Sequence, residues 1–578
     1  MSALVAALDT HTPTEVGENG HLQYGWSHNL KEKILQFSFQ LTRCDKSVVR
    51  NRLASKFREI LTELPLSSSS RIDGNNFLTL VAQMIAHTRD IVNGKGEYEL
   101  AYMMIYELHT YYPEVARHVL RNFVTIDNAL EVHPYGSWKD IKYFCNYVKE
   151  QRDEDHPLIW FAHNLMIDQL RKDENVQPNM MPSLAGRWAP REGSKPFGWQ
   201  FTRMAQMFYP TWVSNVNPYS SQGVSAVRKC CTHYRHVLSS LNRRLETVQV
   251  KQTANTWAEI NYEHVTSITM RKQNKAFRNV KPNKSEERVD SNDRRAAAEN
   301  FDAFMSKARK GEATVKGKRV SMIDFVRDAL QTNDDGDKQV LNLQWRDNST
   351  QTGALPNMIP MIDTSGSMSC DLSVPLYSAI GLGIRIAEKS KLKNRAMTFS
   401  DTPAWIKYDN CKEFTDKVTA TKAGSWGFNT NFTAALKLIL SAIEEARLNP
   451  QEVSDMVLVV LSDMQIDQNG NERIDSYMLA HIDRLYRESG MRIHGEPYKR
   501  PSILFWNLRS TSGFPSLSTT PGAMMMSGAS PALLNMFCDK GINALEKYTP
   551  WSMFLETMNH ARYSYVKDYT DAFVMEAA

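Results

Sequence analysis

The amino-acid sequence predicts a two-part α + α/β protein, in which an N-terminal α-helical repeat domain precedes a doubly wound α/β domain. From about residue 26 to 331, apolar residues recur at three- and four-residue spacing between turn signals, which indicates consecutive packed helices. After about residue 339, short apolar runs alternate with helical stretches, which is typical of a parallel sheet. The chain has 578 residues, and because a single core rarely exceeds about 250–300 residues, we expect at least two cores.

The helical half is divided by Gly and Pro at near-regular intervals. Asn93-Gly94 and Tyr112-Pro113 are two such breaks, and each falls between segments of helical periodicity. Consecutive helices joined by short turns favour a stacked solenoid, in which each pair buries its face against the next. The predicted helices are Leu30–Leu64, Phe77–Val92, Glu97–Tyr112, Pro113–Ala129, Trp138–Arg152, Leu158–Leu170 and Gly223–Thr247. We expect this domain to cover residues 26–338, after a flexible tail over residues 1–25.

The C-terminal half, residues 339–578, is predicted to form the α/β domain. Its predicted strands are Met358–Asp363, Arg395–Phe399, Met456–Leu461 and Ile503–Trp506. The helices predicted between them are Leu372–Lys391, Phe432–Arg447 and Asp475–Glu488. Because open parallel sheets bind ligands outside the carboxyl ends of their strands, the residues that follow these strands are the candidates for a functional site.

Composition argues against several classes of protein. Apolar residues make up 42% of the chain and charged residues 23%, as in globular rather than disordered proteins. The longest apolar run, Met456–Leu461, is far shorter than the roughly 18 residues that cross a bilayer, and the N-terminus lacks the basic region of a secretory signal. Seven cysteines without C-x-x-C spacing favour reduced thiols. We therefore expect a cytoplasmic protein (in the host cytoplasm if the chain is viral) with no membrane partner.

Positive charge is concentrated in one basic segment, residues 267–319. Between Arg271 and Arg319 there are fifteen Lys and Arg against seven Asp and Glu, a balance of +8, whereas the whole chain carries +5. Such a cluster is typical of a surface that binds nucleic acid or another polyanion. A solvated helix-and-loop region without a partner has the same composition, so charge alone does not decide between them.

A candidate metal site follows the predicted strands. Asp363, Ser365 and Ser367 form a D-x-S-x-S loop directly after the first strand, and one carboxylate with two hydroxyls suits Mg²⁺ or another divalent cation. Thr430 lies just before a predicted helix, and Asp463 just after the strand Met456–Leu461. In this order the three elements resemble the von Willebrand factor A domain and its metal-ion-dependent adhesion site. The resemblance implies that these five residues arrange the cation, directly or through water; the alternative is the same fold with an empty site.

Catalytic motifs do not fit the sequence. Ser365 is not in a G-x-S-x-G elbow, and no base is placed for it by sequence. His494-Gly495-Glu496 lacks the P-C-x-x-C that follows in zinc deaminases, and Asn93–Glu97 is not a P-loop. We therefore expect a protein that is not an enzyme.

The helical half and the A-type domain together resemble the Ro autoantigen, or TROVE, architecture, in which HEAT-like repeats form a ring closed by a von Willebrand A domain. The resemblance includes Arg89–Glu97, similar to the R-D-x-x-x-G-K-G-E turn of that group, and Tyr135–Asp140, similar to its Y-G-x-W-x-D helix start. A more specific resemblance is to an uncharacterised family of the same architecture in cellular organisms, large viruses and phages. Its marks are Arg187–Pro190, Tyr234-Arg235, Ala254–Ile260, Phe505–Arg509 and Met526–Ser530.

The Ro resemblance implies a ribonucleoprotein scaffold that binds small structured or misfolded RNA. RNA binding requires Lys and Arg for phosphates, and planar side chains for unstacked bases. The residues predicted for this role from charge are Arg271, Lys272, Lys275, Arg278, Lys281, Lys284, Arg294 and Arg295. Trp257, Tyr262 and Phe277 are nearby aromatic residues, of which Trp257 and Phe277 are expected in the core.

Two other functions are compatible with the sequence. One is a protein-interaction adaptor, in which a partner offers an acidic residue to the metal and no RNA is involved. The other is a self-assembling structural protein, such as one of a virus.

Overall fold

The computed structural model describes residues 13–18, 20, 22–43, 47–64, 71–126, 132–151, 153–177, 179–281, 286–399, 402–424, 431–465, 476–538 and 548–577. Its architecture is α + α/β, as predicted: helices fill the first half, and a six-stranded sheet lies in the second half. Two small hairpins, β1 (Thr14–Val16) with β2 (Leu22–Tyr24) and β3 (Arg71–Ile72) with β4 (Asn75–Asn76), precede the sheet.

The helical part has two apolar cores: helices up to Ser221–Arg244 pack around the first, and Ser267–Phe277 and Asn292–Lys310 pack around the second. Its helices are Leu30–Gln40, Ser47–Glu63, Phe77–Arg89, Tyr98–Tyr111, Pro113–Asn122, Lys139–Glu150, Pro157–Glu174, Ala185–Trp188, Gly198–Phe208, Ser221–Arg244, Val248–Ala254, Ser267–Phe277, Asn292–Lys310, Met322–Gln331 and Asp335–Ser349. The helices predicted from apolar spacing are present within a few residues of the expected bounds, except at Leu30–Leu64 and at Pro113–Ala129. The latter helix ends at Asn122, and residues 127–129 lie outside the described residues.

The predicted helix Leu30–Leu64 is two helices, because the first ends at Gln40. Leu41 leaves helical geometry at φ −77° and ψ 75°. The Lys95 ammonium donates to the carbonyls of Ser38 and Leu41 at 2.7 and 3.2 Å. A side chain from elsewhere in the fold thus satisfies carbonyl groups that a further helical turn would otherwise use.

The sheet comprises β5 (Asn357–Asp363), β6 (Arg395–Phe399), β7 (Ala404–Lys407), β8 (Met456–Ser462), β9 (Ser502–Asn507) and β10 (Ala523–Ser527). Their order across the sheet is β10-β9-β8-β5-β6-β7, and all neighbours are parallel except the β6–β7 hairpin. The four predicted strands are confirmed. β8 is buried along its whole length, which explains its unbroken run of apolar residues.

Helices cover both faces of the sheet, so that two separate apolar cores lie against it. These helices are Cys370–Lys389, Phe414–Lys422, Phe432–Ala446, Pro450–Ser454 and Ser476–His494. Within the described part of the chain, the segment Gly366–Lys389 is long and apolar enough to span a membrane, and 72% of its apolar window is buried inside the protein. The helix has left-handed dihedrals at Asp371, Leu372 and Ser373, so its regular part begins at Val374.

Two elements join the α/β part to the helical part. The C-terminal helices Pro550–Met558 and Ser564–Ala577 belong to the helical core, where Trp551 and Val566 are buried. The hairpin of β1 and β2 lies within the predicted flexible tail, yet its backbone pairs with Phe514 through two Tyr24–Phe514 hydrogen bonds of 3.1 and 2.9 Å. Contacts therefore cross the predicted boundary at residue 339, and the two parts pack as one interlocked unit.

The motifs Arg89–Glu97 and Tyr135–Asp140 meet at this junction. Arg89 donates to both carboxylate oxygens of Asp140 at 2.6 and 2.7 Å, and both side chains are buried. The next residue, Asp90, accepts from Arg562 at 2.6 and 2.7 Å, and the Tyr135 hydroxyl donates to the Arg562 carbonyl at 2.9 Å. These motif residues therefore fix the C-terminal segment to the helical part.

Candidate functional site

The two predicted metal-binding carboxylates lie side by side at the carboxyl edge of the sheet. Asp363 is the last residue of β5, and Asp463 directly follows β8, the strand paired with β5 in parallel. Both residues are 0% exposed. Asp363 accepts from the Ser365 backbone N–H at 2.9 Å and from the Ser462 hydroxyl. Parallel pairing thus brings together two carboxylates that are 100 residues apart in sequence.

The predicted hydroxyls point to the same place. Ser365 Oγ and Ser367 Oγ are 3.1 Å apart, and the Ser367 hydroxyl also hydrogen-bonds Asp463, which tends to lower the pKa of that carboxyl. Four of the five predicted residues therefore converge. The fifth, Thr430, lies outside the described residues; the helix after it is capped by Asn431, whose side chain accepts from the Ala434 N–H at 2.8 Å.

Burial raises the pKa values of the two carboxyl groups in this pair. Burial, with repulsion from Asp463, raises the pKa of Asp363 to about 7. Burial also raises the pKa of Asp463, although the nearby Arg509 guanidinium opposes the shift. Arg509 was not predicted as a residue of this site, although it lies in the F-W-N-L-R segment. Its Nε is 3.0 Å from Asp463 Oδ2, but the two are out of line, so neither atom has a hydrogen bond among the described residues.

The donor set fits a hard divalent cation. Two carboxylates and two hydroxyls are oxygen ligands of the kind that Mg²⁺ takes with additional water, and the orphaned Asp463 Oδ2 offers a further free lone pair. Among the described residues there is no cluster of three or more His, Cys, Asp or Glu side chains that could hold a metal. Because the donors of this site are all oxygen atoms, they favour Mg²⁺ or a similar ion over zinc.

The cations predicted to bind RNA are mostly paired with carboxylates of the protein itself. Arg271 contacts Asp324 and Asp328 at 3.1 and 2.5 Å. Arg278 contacts Asp334 and Asp337 at 2.9 and 2.5 Å. These four aspartates lie just beyond the basic segment, on the two helices that pack beside it, and they neutralise the cations that charge counting singled out.

The remaining predicted residues differ in their surroundings. Lys275 contacts Asp337 at 3.3 Å, Lys281 contacts Glu286 at 2.7 Å, and Arg295 pairs with Glu287 and Asp290. Arg294 is buried over the Trp257 ring, 3.6 Å from its centre. Lys284 lies outside the described residues. Lys272 is exposed and has no ion pair among the described residues. Phe277 and Tyr262 are buried, and Trp257 packs against their core.

A second surface, which shares Lys272 with the basic segment, presents cations that form no ion pair among the described residues. We call it the cationic–aromatic surface and define it by Lys139, Lys142, Arg187, Arg191 and Lys272. None of these five has an ion pair with a carboxylate in the described part of the chain. Burial lowers the pKa of Lys142 to about 8, and repulsion from Arg191 and Lys139 adds to the shift. Burial also lowers the pKa of Lys139; the neighbouring Asp140 carboxylate opposes this shift, and repulsion from Arg89 and Lys272 adds to it. Arg187 lies over the Trp188 ring, which is also within about 6 Å of the Lys139 and Lys142 ammonium groups.

Half-buried aromatic rings lie between these cations. Lys139 Nζ is 4.7 Å from the ring centre of Tyr143 and 5.8 Å from that of Tyr98. Lys142 Nζ is 5.1 Å from the ring centres of both Trp188 and Phe197. This interleaving of cations and rings can contact phosphates and stack on bases.

Comparison with known proteins finds families without an assigned function. Residues 156–351 match the model of a domain of unknown function, DUF2828, and residues 357–577 match that of another, DUF7788. The chain is also 24% identical over 510 residues to the uncharacterized protein L728 of Acanthamoeba polyphaga mimivirus, covering 84% of this chain and 80% of that protein. The two family matches meet between residues 351 and 357, close to the start of β5.

Proposed function

We propose that this chain is a non-catalytic, RNA-binding scaffold similar to the Ro ribonucleoprotein, with HEAT-like helical repeats followed by a von Willebrand factor A-like domain that binds Mg²⁺. The observation that carries the proposal is the cationic–aromatic surface, where five cations lie together without carboxylate partners. Charge repulsion makes such a cluster unfavourable in the free protein, and a polyanion relieves that repulsion.

The aromatic rings favour single-stranded segments of an RNA. In a duplex the bases are stacked on one another, whereas in loops and free ends they can stack on a side chain. Three aromatic rings have their centres within about 6 Å of the Lys139 or Lys142 ammonium group: those of Trp188, Tyr143 and Phe197. Phosphates would pair with the cations while neighbouring bases stack on the rings. Small RNAs with unpaired loops or ends are therefore the proposed ligands.

In this proposal the A-type domain has a supporting role. When bound, Mg²⁺ neutralises the buried Asp363–Asp463 pair and offers an open coordination position. Asp363, Ser365, Ser367 and Asp463, with Thr430 as the predicted fifth residue, hold it at the edge of the sheet. Arg509 pairs with Asp463 and with Glu18, at 2.6 Å to the latter, so the β1–β2 hairpin lies beside the same edge.

The buried carboxylate pair also supports a second function. In it, the chain is a metal-dependent adaptor that binds an acidic residue of a partner protein. The two proposals differ in the surface that they require. RNA binding depends on the cationic–aromatic surface and not on Asp363, whereas an adaptor depends on Asp363 and not on Lys139 or Lys142.

The test is fluorescence anisotropy of a labelled oligouridine with the full-length protein over a salt series, alongside a duplex RNA of the same length. We expect tight binding to the single strand, weaker binding to the duplex, and affinity that falls steeply as salt increases. Loss of binding on Lys139→Glu/Lys142→Glu with retention in Asp363→Ala supports the scaffold. No binding even at low salt would overturn it.

A further inference from the structure

A cavity of about 380 Å³ lies where the helical part meets the outer strand of the sheet. Helices Leu30–Gln40 and Phe77–Arg89 form one wall, and β10 with helix Pro550–Met558 forms the other. The volume is within the range of about 300–1,000 Å³ that is usual for small-molecule sites. The cavity is separate from both the carboxylate pair and the cationic–aromatic surface.

The wall of the cavity is mainly apolar and adaptable. Its methionines are Met525, Met526, Met536, Met553 and Met558, and Phe554 adds an aromatic face. Methionine side chains are flexible and polarisable, so they fit ligands of irregular shape. This lining suits an apolar molecule rather than a sugar or a nucleotide.

One buried polar side chain on this wall has an unused acceptor. His87 is 4% exposed, and its Nδ1 is 2.9 Å from the Tyr563 hydroxyl. That hydroxyl donates its only proton to Asp90 at 3.1 Å, and both oxygens of Asp90 also accept from Arg562. His87 Nδ1 must therefore be the donor to Tyr563. Burial lowers the pKa of His87 to about 3, so the ring is neutral and Nε2 carries a lone pair.

Among the described residues no hydrogen bond reaches His87 Nε2. This nitrogen is not one of the fully buried atoms without a partner, and because His87 lines the cavity, a donor from a ligand or from water can reach it.

The other charged groups of the cavity favour a neutral ligand. Lys95 is 5% exposed and donates to the Ser38 and Leu41 carbonyls and to the Ser527 hydroxyl, so it has no further proton to offer a ligand. Burial also lowers the pKa of Lys95 to about 7, so the group carries only part of a positive charge at neutral pH. The Glu556 carboxylate, which accepts from the Tyr548 hydroxyl, lies on the same wall and repels anions.

We propose that this cavity binds a small, neutral, mainly apolar molecule that carries one O–H or N–H group, with that group donating to His87 Nε2. The binding site is assembled from both parts of the chain, so its occupant stabilises their junction.

The test uses two probes on the full-length protein: 2-naphthol, which has the donor, and 2-methylnaphthalene, which has the same shape without it. Binding is followed by naphthalene fluorescence and by the thermal unfolding midpoint. We expect 2-naphthol to bind about two- to twelvefold more tightly, the effect of one net hydrogen bond. Equal affinity for the two probes, or no binding of 2-naphthol, would overturn the proposal.

Three variants locate the site. His87→Phe should bring the two affinities to the same value, because it removes the acceptor and keeps the apolar volume. Met536→Trp, at a partly exposed position of the wall, should weaken both probes at least tenfold, whereas Met207→Trp, a comparable change outside the cavity, should leave both unchanged. Binding that survives Met536→Trp would place the probes elsewhere and refute the assignment.

Discussion

Neutralising two lysines of the cationic–aromatic surface, Lys139→Gln/Lys142→Gln, should weaken RNA binding in a salt-dependent manner. The two residues lie three positions apart on the helix Lys139–Glu150, and their ammonium groups are 4.7 and 5.9 Å from the centre of the Tyr143 ring. Neither has a carboxylate partner among the described residues, so their loss removes phosphate contacts without leaving an unpaired acid.

The expected magnitude follows from the number of cations. For single strands, the slope of log K against log[salt] is about −0.7 for each phosphate contact, so five cations predict about −3.5 and three predict about −2.1. The difference of about 1.4 corresponds to roughly 25-fold weaker binding at about 0.1 M salt and roughly threefold at about 0.5 M.

The assay is anisotropy of labelled oligouridine at four or more salt concentrations. The matched control is Lys412→Gln/Lys437→Gln, which removes the same charge from exposed positions of the α/β part and should change neither affinity nor slope beyond about twofold. An unchanged slope in the Lys139/Lys142 variant, or an equal loss in the control, would refute the assignment of this surface.

Four further predictions concern single side chains. Trp188→Leu should weaken oligouridine binding by about 1–3 kcal/mol without changing the salt slope, because stacking releases no counterions. Binding should weaken as pH rises from 7 to 9, since the Lys142 ammonium, whose pKa is lowered to about 8, loses its proton, and Lys142→Gln should remove that step. Asp363→Asn should abolish Mn²⁺ binding measured by electron paramagnetic resonance and leave RNA affinity unchanged, whereas exposed Asp409→Asn should change neither. Asp140→Asn should destabilise the helical part by about 3–5 kcal/mol in urea, because it leaves Arg89 charged and buried without its partner, and a loss under about 1 kcal/mol would contradict this.

The strands and helices of the α/β part could be predicted because their apolar patterns are local. β8 reads M-V-L-V-V-L and is buried throughout, and the helices beside it keep a 3.6-residue period. β10 was not predicted, because A-M-M-M-S has no β-branched residue and only its parallel pairing with β9 makes it a strand. The break after Gln40 was not predictable either, since it depends on Lys95, more than fifty residues away.

The carboxylate pair could be predicted for a topological reason. Asp363 and Asp463 each end a strand, and adjacent parallel strands must bring their carboxyl ends together. Arg509 could not be placed in the same way, because it follows β9 in a loop whose course is set by the β1–β2 hairpin and by Glu18.

The number of charged residues in a segment does not show which cations are paired. The basic segment ends at residue 319, and the aspartate partners of Arg271 and Arg278 begin at Asp324, so the count stopped just before the charges that compensate these two residues. Lys139 and Lys142 lie in a segment of ordinary composition. They are distinguished because neither forms an ion pair with a carboxylate among the described residues. Density of charge is visible in a sequence, but the absence of a partner is a property of the fold.

The most direct test of the central claim is photo-crosslinking of the full-length protein to a 4-thiouridine-containing oligouridine, followed by mass spectrometry of the crosslinked peptides. We predict crosslinks to Tyr143, Trp188 or Phe197, reduced by Lys139→Gln/Lys142→Gln and by high salt. Crosslinks confined to the α/β part, or to the basic segment 267–319 away from Lys272, would contradict the proposal.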